Sequence, residues 1–136
     1  MNRRHFLITA SAAAALPLAA RAAPIDYTPG LVKKRLAAGE TVFLDFKTDW
    51  CSTCAAQERV IKALKAANPA YEANITFINV DWDVHARSEL SKSLKIPRRS
   101  TLVVLRGDQE LGRIVAQTGQ SKIKSLMDTA LNAATA

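Results

Sequence analysis

Thr41-Val42-Phe43-Leu44-Asp45-Phe46, followed after three residues by Trp50-Cys51-Ser52-Thr53-Cys54, is the stretch on which the fold turns. Its first six residues are β-branched or aromatic and almost all apolar, the composition of a short strand buried on both faces. Asp45 is the one charge in that run, and its presence there asks for an explanation. After the cysteines, Ser52 to Ala67 is rich in Ala, Gln, Glu, Lys and Leu. Val60, Ile61, Leu64 and Ala67 fall at helical spacing and Asn68-Pro69 supplies the stop, so a helix is predicted over 52–67. The Cys-x-x-Cys pair therefore stands where a strand passes into a helix. At i and i+3 both sulfurs share one face of the first turn. Cys51 would occupy the helix N-terminus, where unpaired N–H groups and the positive end of the dipole favour a thiolate. It is the expected attacking sulfur, and Cys54, one turn inside, the resolving one. Asp45 lies six residues earlier; from the strand it can exchange a proton with Cys54 through water, and burial would raise its pKa towards the useful range.

Working outward, Leu31 to Ala38 reads as a helix stopped by Gly39, and Ile75 to Val80 as a second buried strand. Asp83 is placed to cap a helix over 84–94 that Pro97 ends. Thr101 to Leu105 is a third strand, residues 106–109 a turn, and Glu110 to Ala116 its hairpin partner. Ser121 to Leu131 closes the chain as a helix with Ile123, Leu126, Met127, Ala130 and Leu131 on one face. Strands alternating with helices and then a hairpin imply an α/β domain, a central mixed β-sheet flanked by helices on both faces.

Residues 1–22 read as an export signal: Arg3 and Arg4, an apolar run from Phe6 to Ala20, then Ala20-Arg21-Ala22. The run falls short of the ~20 residues that a spanning helix needs. Asn2-Arg3-Arg4-His5-Phe6-Leu7 resembles a twin-arginine signal, with Ile8 where a polar residue is usual. The expected products are a signal over 1–22 and one domain over 23–136 in the periplasm, not membrane-spanning and monomeric. There disulfides are permitted, and the two cysteines must be read as redox-competent.

The chain has 136 residues, 49% hydrophobic and 23% charged, with a formal net charge of +7. Arg3, Arg4 and Arg21 lie in the signal, which leaves sixteen basic residues against twelve acidic ones, about +4. So mild a balance argues for solubility rather than a nucleic-acid partner. Lys33-Lys34-Arg35 reads as a wet helix face, Trp82 between Asp81 and Asp83 as a strand-to-helix turn, and His85 as a solvated side chain. Two cysteines are too few for a disulfide framework or a four-ligand metal site. No Gly-rich phosphate loop, His-Glu zinc motif or Ser-His-Asp arrangement stands out.

The sequence resembles the thioredoxin family over nearly all of 23–136. Leu44-Asp45-Phe46 with Asp49-Trp50-Cys51-Ser52-Thr53-Cys54 is similar to the family's strand, aromatic residue and active-site turn. Ile78-Asn79-Val80-Asp81 is similar to its next strand, and Thr101 to Leu105 with Gly107 to its final hairpin. The resemblance implies a thioredoxin-like fold and thiol-disulfide exchange with protein thiols and disulfides, with Cys51 as nucleophile, Cys54 as resolving cysteine and Asp45 as buried carboxylate. It implies no cofactor, since the electrons reside on the dithiol, and a membrane or periplasmic redox partner for regeneration. Ser52-Thr53 is neither the Gly-Pro of cytoplasmic thioredoxins nor the Pro-His or Gly-His of strong oxidants, so the direction of electron flow stays open. Where the family places a cis-proline before its third strand, this chain has Ser100. A cis bond there would cost ~3 kcal/mol without proline, so Arg99–Ser100 is expected trans. Trp50, Arg99, Ser100 and Thr101 are the candidate substrate contacts, and Arg98 or Arg99 would bring positive charge to the thiolate and favour acidic partners. Two rivals remain: a protein that holds copper, zinc or an iron-sulfur cluster on the same cysteines, and a catalytically silent adaptor. Metal analysis and trapping of partners separate the three.

Overall fold

The computed structural model describes residues 23–136. The expected export signal over 1–22 lies outside them. Five strands form one sheet: β1 (Ile25–Asp26), β2 (Thr41–Lys47), β3 (Thr76–Asp81), β4 (Thr101–Arg106) and β5 (Gln109–Val115), in the order β1-β3-β2-β4-β5. β1, β3 and β2 run parallel, while β4 pairs antiparallel with both β2 and β5. The sheet is thus mixed, as the alternation of elements predicts, and β2 lies at its centre. Every residue of β2 except Lys47 is buried, which is why its sequence is apolar throughout instead of alternating.

The helices are α1 (Leu31–Ala37), α2 (Ser52–Ala67), α3 (Ala70–Asn74), α4 (Trp82–His85), α5 (Glu89–Ser93) and α6 (Gln120–Thr135). They divide between the two faces because successive strand residues point to opposite sides. Phe43, Phe77, Leu102 and Val104 pack with Ile61 and Leu64 of α2, Tyr71 of α3 and Ile123, Leu126 and Met127 of α6. Val42, Leu44, Phe46, Ile78 and Val103 face the other way, with Val32 of α1, Trp82 of α4 and Leu90 of α5 against them. Asp45 shares the parity of Phe43, so it points beneath α2, the helix that carries the cysteines.

Four sequence expectations are corrected. The helix expected over 84–94 is two short ones, because Ser88 is extended and its hydroxyl accepts from Ser91 N–H at 3.2 Å, starting α5 afresh. Asp83 caps nothing; Asp81 is the N-cap of α4, its carboxylate accepting from Asp83 N–H at 3.0 Å. His85 is half-buried, its ring edge-on to Tyr27 at 4.8 Å, rather than solvated. The closing helix begins at Gln120 and continues to Thr135, past Leu131. β1 and α3, two and five residues long, were not predicted.

Candidate active site

The end of β2 and the start of α2 place the dithiol. Cys51 is the N-cap of α2: its backbone is extended and its sulfur accepts from Cys54 N–H at 3.1 Å. A sulfur in that position takes over the work of a capping oxygen, satisfying one of the helix's orphan donors while gaining from the dipole. Both cysteines are free thiols, Cys51 5% exposed and Cys54 1%. The order of access is the one the spacing implies, with the outer sulfur at the helix head and the inner one sealed behind it.

Residues 98–101 come to the same point from β4. Ser100 N–H donates to Phe46 O at 2.7 Å, one residue out of register just past the last β2–β4 pair, Phe46 with Thr101. The Arg99–Ser100 peptide is trans, and Ser100 adopts φ 62, a left-handed conformation unusual outside glycine. Its hydroxyl lies 3.2 Å from Cys51 Sγ and 3.1 Å from Cys54 Sγ. Thr101 is buried and its hydroxyl donates to Arg98 O at 2.7 Å, closing the 98–101 turn.

Trp50 and Arg99 form the rim. Trp50 is 63% exposed, and its indole N–H donates to Asp83 Oδ2 at 2.8 Å. The Arg99 guanidinium lies over the Trp50 ring at 4.3 Å, a cation–π contact that holds the charge close to the dithiol. Arg98 is exposed, its Nε–H donating to Arg99 O at 3.0 Å.

Burial opposes ionisation of Cys51, but hydrogen bonds from the Cys54 thiol, the Ser100 hydroxyl, the Cys54 N–H and the Arg99 side chain outweigh it. Together they bring its pKa from 9.0 down to about 7. For Cys54 burial is not overcome, and its hydrogen bond to Cys51 adds to it, so its pKa rises. The environments shift the two thiols in opposite directions, Cys51 towards the thiolate and Cys54 away from it.

Asp45 is 6% exposed and its pKa is raised to about 7, chiefly by burial, with the nearby Lys47 working against the rise. Its Oδ1 has no hydrogen-bond partner. The carboxyl lines a cavity of about 510 Å³ together with Glu58, Lys62, Lys65 and Glu72. Phe43, Ile61, Phe77 and Ile78 complete a lining that is more apolar than polar. Lys47 and Glu58 pair at 3.1 Å over the entrance to α2. Lys65 is 8% exposed on its side chain, with Nζ 3.8 Å from the Phe77 ring centroid and 3.9 Å from Glu72.

Gln57 is the residue that sequence reasoning missed. It is fully buried on α2, and its amide N–H₂ donates to Ser100 O and Gln117 O, each at 3.0 Å. The signal was present: Cys54, Gln57, Ile61 and Leu64 form one helical stripe, and Gln57 is the polar member of an otherwise inward-facing set. Among the described residues no group of three or more His, Cys, Asp or Glu is gathered as a metal site.

A family model described as thioredoxin matches residues 28–129. The chain is 32% identical over 74 residues to thioredoxin H2-1 of Oryza sativa subsp. japonica, covering 54% of this chain. It spans about half the length of that relative, 49%. Among solved structures it is similar to Trxlp from Edwardsiella tarda, at 27% identity and TM-score 0.64, covering 75% of this chain and 97% of that one. It is likewise similar to the germline-specific thioredoxin Deadhead of Drosophila melanogaster, at 25% identity and TM-score 0.60, covering 79% and 97%. Trypanosoma brucei brucei thioredoxin shares the fold, with TM-score 0.63 at 19% identity, covering 85% and 94%.

Proposed function

The chain belongs to the thioredoxin family and has its fold, and on that premise we propose that it is a thiol-disulfide oxidoreductase acting on protein disulfides through Cys51 and Cys54. The observation that carries this reading is the Cys51 sulfur at the helix N-cap, held by the Cys54 N–H and the Ser100 hydroxyl with its pKa drawn to about 7. A thiol of that pKa is half ionised near neutral pH and remains a good nucleophile, the balance that makes exchange fast.

In the reducing direction the Cys51 thiolate attacks a substrate disulfide, one substrate sulfur leaves, and a mixed disulfide forms. Cys54 then gives up its proton and attacks Cys51 Sγ, releasing the second substrate sulfur. Asp45 is the base for that proton, by way of water; a carboxyl near 7 can both take and return it. Read backwards, the same steps oxidise a substrate dithiol. Trp50 and Arg99 form the ledge against which substrate chain lies, and the positive charge of Arg98 and Arg99 selects substrates with acidic residues beside their cysteines. Residues 1–22 carry the chain to the periplasm by the twin-arginine route, the domain over 23–136 works there as a monomer, and a membrane or periplasmic redox partner regenerates it.

A Cys54→Ser variant expressed in its native cells tests the reading. The mixed disulfide on Cys51 can then no longer be resolved, so covalent adducts with exported proteins should accumulate and vanish with reductant or with an added Cys51→Ser change. Absence of adducts, together with no disulfide reduction or oxidation by the wild type, would leave an inert adaptor.

A further inference from the structure

Ser100 has no solvent exposure and no slack. Its N–H donates to Phe46 O at 2.7 Å, and its carbonyl accepts from Ala116 N–H at 2.8 Å and from the Gln57 amide at 3.0 Å. A left-handed serine persists only where its surroundings over-determine it, and these three bonds do so. The hydroxyl is thereby delivered to the sulfurs by the backbone. Among the described residues Cys51 Sγ and Cys54 Sγ are its hydrogen-bond partners.

A hydroxyl has one proton to give. In the dithiol with Cys51 ionised, the Ser100 O–H, seated between the two sulfurs, donates to the Cys51 thiolate beside the Cys54 S–H and N–H. It is a bond to a charged acceptor, the stronger kind. Joining the sulfurs abolishes it, since a disulfide carries no charge. The hydroxyl stays buried against weak acceptors, and that cost falls on the oxidised state alone.

We propose that the bridging hydroxyl of Ser100 biases the direction of electron flow, stabilising the dithiol over the disulfide and raising the potential of the couple towards donation of its disulfide to substrate dithiols. The proposal rests on the Cys51/Cys54 exchange reading above. A substrate thiolate attacks Cys51 Sγ, the Cys51–Cys54 bond breaks, and Cys54 leaves as a thiolate that takes up a proton. The second substrate thiolate attacks the substrate sulfur of the mixed disulfide, and Cys51 leaves as a thiolate. The substrate has lost two electrons and two protons. The protein has gained two electrons and holds one proton on Cys54, the other going to solvent when Cys51 stays ionised. Ser100 O–H is within reach of each sulfur as it departs. A partner protein bearing a disulfide of higher potential restores the oxidised form by the same steps reversed.

The test equilibrates the purified protein with reduced and oxidised glutathione at pH 7 and reads the Cys51–Cys54 disulfide fraction by thiol labelling and mass. Wild type is compared with Ser100→Ala, which keeps the left-handed strain without the hydroxyl, and Ser100→Gly, which relieves that strain. Both variants should move the equilibrium about tenfold towards the disulfide, or about 30 mV to lower potential, and raise the Cys51 pKa. If Ser100→Ala does not fold, Ser100→Gly decides alone. Equilibrium constants within twofold of wild type, or a shift towards the dithiol, overturn the proposal while leaving the exchange reading intact. Failure of the wild type itself to form the Cys51–Cys54 disulfide at any glutathione ratio refutes the exchange reading and the proposal with it.

Discussion

Arg99 and Ser100 are the two residues in which the chemistry of this site is individual. The guanidinium of Arg99 lies over Trp50 at 4.3 Å and favours the ionised form of Cys51. Arg99→Gln should therefore raise the Cys51 pKa while leaving the fold in place; a thiolate absorbance titration that coincides with wild type would contradict this. The position of Arg99 beside the dithiol was legible from its place before the strand at Thr101. The bridging hydroxyl was not, because a sequence without a backbone cannot show that residue 100 enters the left-handed region and points between two sulfurs.

Asp45 makes a second prediction at this scale. Its carboxyl ionises near 3.8 in the unfolded chain and near 7 when folded, with burial the main cause. Between those values the folded protein holds the extra proton, so the contribution of Asp45 to stability is fully present below about pH 4, declines as pH rises, and is lost above about 7. The loss amounts to at most about 4 kcal/mol. Asp45→Asn should flatten this slope and raise the melting temperature at pH 8, while slowing resolution of the mixed disulfide by Cys54. Parallel urea midpoints for variant and wild type between pH 5 and 8 would show that Asp45 is not the titrating group.

At the scale of elements, α2 does more than carry the cysteines. Gln57 stands one turn past Cys54 and ties Ser100 and Gln117 to the helix, so the serine and the dithiol move as one body. Gln57→Leu removes one of two donors from the buried Ser100 carbonyl, and the donor to the Gln117 carbonyl, and should cost about 1 kcal/mol in urea unfolding. Its more telling effect should be on Cys51: with Ser100 less firmly held, the thiolate pKa should rise. Loss of stability with an unaltered pKa would mean that the backbone bonds to Phe46 and Ala116 hold Ser100 without Gln57. The strand–helix junction was legible because apolar run, Cys-x-x-Cys and helical stripe follow one another without a break. Less legible were β1 and α3, too short to show a period, and the break at Ser88, where a side-chain cap overrides a helical pattern in Leu90 and Leu94.

For the whole molecule, the sheet order β1-β3-β2-β4-β5 buries β2 on both faces and both edges. Its C-terminal end can then hold a carboxylate, a thiol and a neighbouring loop in fixed relation. The α/β class and the two-sided packing were readable from the alternation of strands with helices and from the unbroken apolar run of β2, which only a strand covered on both faces carries. The cavity beneath α2 was not, because it is lined by side chains from α2, β2, β3 and α3 whose approach depends on tertiary packing.

The account stands most directly on the difference in ionisation between the two sulfurs. Alkylation of the reduced protein with iodoacetamide from pH 4 to pH 10, resolved by mass at each cysteine, measures it. Cys51 should be labelled first, with a rate that rises to half its maximum at about pH 7, while Cys54 stays protected until higher pH. Labelling of Cys51 that climbs only around pH 9, or that lags behind Cys54, would contradict the assignment of the nucleophile.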